Sequence, residues 1–196
     1  MAMVIIIDDR EKMPYDFNIF PGKRIKTDRA RLLIGDYTIA GLEGDIAAER
    51  KTESDFFNCL DADFDRFTRQ VTKGKTLIIN YRVFVESTQA TVEQILKQNI
   101  LLQNRYYYLR DYIGVHFSFY NGMKETAGAV LRWFKRIYAA GEKAAIDGLM
   151  PSEKTEIFTN TYRENTYTAP PPIIPFNPPP VQPPQMPIFQ PPPDEP

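Results

Sequence analysis

Cysteine, histidine and tryptophan occur once each in these 196 residues, and no long apolar run is present. A single Cys59 can form no disulfide within the chain and no cysteine-based zinc site, which fits a reducing compartment. A single His116 without fixed partners is not a ligand set. The apolar stretch near the start, Met3-Val4-Ile5-Ile6-Ile7, runs straight into Asp8-Asp9, too short and too acidic for a signal peptide or a membrane span. The expectation is a soluble, intracellular chain of the cytoplasm, nucleoid or nucleus, with no membrane partner and no secretion.

Proline is scarce along most of the chain and crowded at its end, where 14 of the 17 fall between Pro170 and Pro196. Such a segment cannot be core. Residues 151–196 read as a disordered, polyproline-II-prone tail whose Pro-x-x-Pro spacings suit docking into an aromatic groove of a protein partner, or as an extension with no partner. Separating that tail changes the charge balance. The whole chain has 24 Lys and Arg against 25 Asp and Glu, whereas residues 1–150 hold 22 basic and 20 acidic side chains, a net of +2. This sum neither requires nor excludes a polyanionic partner, because clustering decides. Residues 1–150 are long enough for one ordinary hydrophobic core.

Val4–Ile7 has the continuous β-branched character of a strand buried on both faces. Arg31–Ala40 reads as a strand containing a tight Gly35-Asp36 step, Gly41-Leu42-Glu43-Gly44 as a hairpin turn, and Ile46–Lys51 as the returning strand. Thr52 or Ser54 can cap the next helix, through Asp55, Phe56, Phe57 and Leu60. A second helix starts near Asp63 with Phe64, Phe67 and Val71 at helical spacing, its end left open between Lys73 and Asn80. A short strand Val83–Val85, a helix Thr91–Tyr112, a strand Gly114–Tyr120 and an amphipathic helix Lys124–Ala140 follow. Helices alternating with strands imply an α/β layer structure with a mixed central sheet.

Four acidic groups, Asp8, Glu11, Asp36 and Glu49, sit at the ends of candidate strands. Asp36 and Glu49 lie on two strands of the expected hairpin and can face each other. Glu49 and Lys51 are two apart, so the strand period puts both on one face. A carboxylate pair beside an ammonium suits metal-assisted phosphodiester hydrolysis: carboxylates hold Mg²⁺ or Mn²⁺, the ion activates a water, and a lysine orients it or helps deprotonate it. Taken singly, such charges at strand ends also read as solvated ion pairs.

Together, Asp8-Asp9-Arg10-Glu11, then Gly35-Asp36, then Glu49-Arg50-Lys51 with three residues and Asp55, resemble the catalytic domain of the XPF family of structure-specific endonucleases, within the PD-(D/E)XK nuclease superfamily. The resemblance spans about Met3 to Glu86, including Arg66 and Gln70. It implies a restriction-endonuclease-like mixed sheet flanked by helices, with residues 1–150 as the nuclease domain. It also implies a metal-dependent DNA endonuclease acting on branched or otherwise structured DNA in repair, recombination or replication, leaving 5′-phosphate and 3′-hydroxyl ends. Asp36 and Glu49 would be the central ligands of Mg²⁺ or Mn²⁺, with Asp8 and Glu11 completing the cluster or supporting a second ion. Lys51 would position the attacking water, Arg10 and Arg50 would engage the scissile phosphate or its neighbours, and Asp55 would orient Lys51 or Arg50. Asp9 should point away. Family analogy points to a homodimer. Two other functions fit parts of the sequence: a non-catalytic DNA-binding or scaffolding subunit of a nuclease complex, and an adaptor acting through the proline-rich tail.

Three further features carry two readings each. His116 alternates with Val115, Phe117 and Phe119 and should face away from them. Asn104-Arg105-Tyr106-Tyr107-Tyr108-Leu109-Arg110 has the composition of a base-stacking surface or of half-buried packing. Arg132, Lys135 and Arg136 lie on a helix whose apolar face, Val130, Leu131, Phe134 and Ile137, packs on the sheet or forms a dimer contact.

Overall fold

The computed structural model describes residues 2–22 and 24–146, with side chains through residue 141. The proline-rich tail, with its expected disorder and its expected partner, lies outside the described residues. Six strands form one mixed sheet: β1 (Val4–Asp8), β2 (Lys26–Ala30), β3 (Tyr37–Ile39), β4 (Ile46–Thr52), β5 (Asn80–Glu86) and β6 (His116–Phe119), in the spatial order β2-β1-β3-β4-β5-β6. β3 is antiparallel to both β1 and β4, while β2 runs parallel to β1, and β5 and β6 run parallel to β4.

The alternation along β4 divides the molecule. Ile46 and Ala48 face a core cluster with Ile5, Tyr37, Phe84, Val130 and Phe134, the last two from α5 (Gly122–Ile146). Ala47 faces the opposite cluster, with Phe56 and Leu60 of α1 (Glu53–Leu60), Phe67 and Val71 of α2 (Phe64–Leu77), Val92 and Leu96 of α3 (Gln89–Gln98) and Leu102 of α4 (Ile100–Tyr107). A helix–sheet–helix sandwich results, as the alternation of elements predicts. The apolar stripe of α5 is used on the sheet.

Local chemistry accounts for the boundaries. Thr52 is the N-cap of α1: its Oγ1 accepts from the Asp55 N–H at 3.1 Å, which selects it over Ser54. α2 continues to Leu77 because Gly74 lets the helix lie against Tyr81, whose ring would be 2.8 Å from any Cβ there. The single helix expected over Thr91–Tyr112 is instead broken at Asn99, whose extended backbone and side-chain oxygen cap α4 through the Leu101 and Leu102 N–H groups. A π turn, Tyr108–Tyr112, ends it.

Two other expectations are corrected. The strand expected over Arg31–Ala40 begins only at Tyr37, because polar side chains take the backbone groups of Leu32 and Gly35 turns at a φ of +76°. The edge strand β2 has no sequence signature: all five residues, Lys26 to Ala30, are exposed, so nothing apolar alternates there.

Candidate active site

β4 carries the site. Glu49 and Lys51 leave one face of the strand toward α2, and Arg50 leaves the other, as the period of two requires. Asp36 arrives just ahead of β3. Its backbone ties the neighbouring strands together, the N–H donating to Ala48 O at 2.9 Å and the carbonyl accepting from the Asp8 N–H at 2.8 Å. Gly35 makes this approach feasible: besides its positive φ, a Cβ there would stand 3.0 Å from Ala47 Cβ and 3.1 Å from Ala48 O.

Asp36 Oδ2 accepts from the Arg50 N–H at 2.7 Å. Glu49 Oε1 accepts from Lys51 Nζ at 2.6 Å and from Gln70 Nε2 at 2.8 Å. Each carboxylate thus keeps a second oxygen outside these bonds. Burial, and then the charge of Glu49, push the Asp36 carboxyl up to about 8. Burial opposes the Lys51 ammonium, but the Glu49 carboxylate outweighs it and lifts the lysine above its ordinary value. Lys51 therefore stands as a cation, also 5.5 Å from the Phe67 ring, and is not a free base.

These groups line a cleft of about 690 Å³ whose rim is cationic. Arg10 and Lys12 border one side, and Arg66, Arg69 and Lys73 project from α2 on the other. The donor set fits a hard divalent cation: two carboxylates share one buried end of the sheet, and their mutual repulsion is what a cation would relieve.

The remaining expected residues, Asp8, Arg10, Glu11, Arg50 and Asp55, line the same cleft, each with hydrogen-bond partners of its own. Among the described residues, no three or more acidic, histidine or cysteine side chains converge as one ligand group. Asp8 is buried, and both its oxygens have donors: Oδ1 accepts from Arg10 N at 2.8 Å and Arg10 Nε at 2.7 Å, while Oδ2 accepts from Arg10 Nη2 at 2.9 Å and Leu32 N at 2.8 Å. Burial disfavours its charge, yet these donors hold its carboxyl down at about 2. Glu11 accepts from Met13 N at 2.8 Å and from Arg50 Nη1 at 3.3 Å. The Arg50 guanidinium is locked below the sheet's other face, donating to Glu86 Oε1 at 2.6 Å and to Met13 O at 3.0 Å, and lying 5.3 Å from the Tyr15 ring. Arg50 nonetheless lines the cleft, and its N–H donates to Asp36. Asp55 accepts from Thr52 Oγ1 at 2.7 Å, bonding to its own helix cap and not to Lys51 or Arg50. Arg10 grips Asp8 but keeps its side chain 53% exposed on the rim.

Asp9 turns outward to Arg31. His116 is exposed at the sheet edge, opposite Arg82 in register, away from Phe117 and Phe119, which pack against the core. Of the tyrosine-rich stretch, Tyr106 is buried and Arg105 donates to the Leu60 and Asp61 carbonyls, so packing accounts for this part.

Four contributors lie outside the expected site list. Gln70, which the resemblance spans without giving it a role, is a polar residue on the inward stripe Phe67, Val71 and Gly74 of α2. Arg69 and Lys73 show the same helical spacing, one turn apart. Glu86 has no sequence signal pairing it with Arg50, since 36 residues separate them.

No family model matches the sequence, and no curated protein matches it. Among solved structures, XPF from Aeropyrum pernix is similar at 20% identity with a TM-score of 0.52, over 67% of this chain and 64% of that one. XPF from Aeropyrum pernix in complex with DNA aligns at 15% identity with a TM-score of 0.48, over 80% of each chain. The chain has an α/β fold, a mixed sheet flanked by helices of the restriction-endonuclease-like class. Within that class it is an XPF-nuclease-like fold, and the first likeness spans less than two thirds of the XPF chain.

Proposed function

We propose that this chain is a divalent-metal-dependent endonuclease that hydrolyses phosphodiester bonds in branched or otherwise structured DNA. The observation that carries this reading is the meeting of Asp36, Glu49 and Lys51 in one cleft with cations on both rims. A non-catalytic scaffold has no use for a buried like-charge pair that opposes folding.

Asp36 and Glu49 would hold Mg²⁺ or Mn²⁺ through the oxygens their protein hydrogen bonds leave over. A bound divalent ion supplies charge neutralisation at the phosphoryl oxygens and a water acidified toward hydroxide. The Arg50 N–H and Gln70 amide orient the two carboxylates. Lys51, held as a cation by Glu49, orients the attacking water and stabilises charge developing on the phosphate. Arg10, Lys12, Arg66, Arg69 and Lys73 bind the flanking phosphates, a sequence-independent contact.

The test is cleavage of a panel of flap, fork, bubble, junction and plain duplex DNA with Mg²⁺ or Mn²⁺. Wild-type protein should cut at least one branched form and leave 5′-phosphate ends, and Asp36→Asn protein should bind DNA without cutting. Undiminished cutting by Asp36→Asn protein would sink the proposal.

A further inference from the structure

We propose that Leu33 is an apolar wedge that inserts against a nucleobase beside the scissile phosphate, which makes an already weakened base step the preferred substrate. The inference rests on the nuclease reading above and names what its cleft engages.

Leu33 is 72% exposed and lines the cleft with Asp36 and Lys51. Its outward position is built into the backbone. Leu32 and Ile34 on either side are both buried, and Leu33 between them faces solvent. The segment is pinned at both ends. The Leu32 N–H donates to Asp8 Oδ2 at 2.8 Å, and Leu32 O accepts from Arg10 Nη2 at 2.9 Å. Beyond it, Gly35 lies against Ala47 and Ala48, and the Asp36 N–H donates to Ala48 O at 2.9 Å. The Asp8–Arg10 pair thus holds the backbone of Leu32, the residue before Leu33.

Leu33 and Asp36 are three residues apart, so an extended chain separates their Cα atoms by at most about 10 Å. That reach corresponds to about three steps of 3.4 Å along a DNA strand. Its surroundings select the partner. Arg10 and Lys12 on the same rim and Arg66, Arg69 and Lys73 opposite suit phosphates. An apolar tip among cations matches a polymer that alternates phosphate charge with flat base faces. Leucine wedges unstack base steps in this manner in other DNA-binding proteins. Opening a step is least costly where pairing is already broken. Other exposed apolar side chains, Ile100, Leu101, Tyr107 and Tyr108, lie on α4 and the following turn and do not line this cleft.

The experiment uses full-length protein and fork DNA carrying 2-aminopurine at each base within three nucleotides of the cut. In EDTA, wild-type and Leu33→Met proteins should raise the fluorescence at one position, and Leu33→Ala protein should not. In Mg²⁺, Leu33→Ala should cut the fully paired fork about tenfold more slowly, yet match wild type on a fork with a mismatch at that position. Leu33→Ala protein that equals wild type in both readouts overturns the wedge and leaves the nuclease reading standing. Wild-type protein that cuts no DNA overturns both.

Discussion

The two sides of β4 use the same kinds of charge to opposite ends. On the α5 side, Arg50 is surrounded by Glu86, Glu11, Met13 O and the Tyr15 ring, so its charge is matched by acceptors and its position is fixed. On the α2 side, two carboxylates share one lysine, and the Asp36 carboxyl is displaced to about 8 by burial and by its neighbour. Matched ions make a scaffold. An unmatched acidic pair in a cleft is the arrangement that the proposed cation would relieve.

The largest expected contrast is at Asp36. Replacement by Asn should reduce Mg²⁺-dependent cleavage at least about 1000-fold. A carboxyl raised from near 4 in the unfolded chain to about 8 in the fold opposes folding above pH 4, and the opposition fades as pH falls through that window. Asp36→Asn should therefore raise the metal-free melting temperature at pH 8, and calorimetry giving a lower value would erase the contrast.

Arg50→Ala should do the reverse. It leaves Glu86 and Glu11 in a partly buried pocket without their cation, at a cost of about 3–5 kcal/mol of stability measured by urea unfolding. A change under about 1 kcal/mol would remove Arg50 from the scaffold.

Asp8 sharpens the comparison through pH. Its carboxyl is lowered to about 2, so its contribution is complete above its unfolded value near 4 and is lost as pH falls toward 2. Asp8→Asn should cost about 2 kcal/mol at pH 7 and progressively less between pH 4 and 2. A constant deficit across that range would show that charge is not the cause. The smallest stability effect is expected on the rim, where Arg69→Ala with Lys73→Ala should change unfolding by no more than about 0.5 kcal/mol. The same pair should weaken DNA binding and lower the salt slope by about 2 in a binding titration.

Much of this was legible along the chain. The strand-end positions of Asp36, Glu49 and Lys51 follow from alternation, and the helix–sheet layering follows from the order of periodic segments. The role of Thr52 as a cap follows from its place before an apolar run. What the sequence did not show is which partners these groups hold when the partners lie far away along the chain. Asp8 lines the cleft and also accepts from the Leu32 N–H, 24 residues on. Arg50 lines the cleft and also donates to Glu86, 36 residues on. β2 was invisible because an exposed edge strand carries no apolar pattern, only the pairing with β1.

The single cysteine excluded an intrachain disulfide and a cysteine-based zinc site from the start, and the spacing of acids and lysine pointed to hard-metal chemistry; both are properties of residue type and of the two-residue strand period. Which acids stay unmatched is a different kind of fact. It depends on donors brought together from β1, the Leu32 segment, β5 and α2, and only the tertiary structure brings them there. Electrostatic matching is decided by distance in space, and a sequence specifies that distance only through the fold.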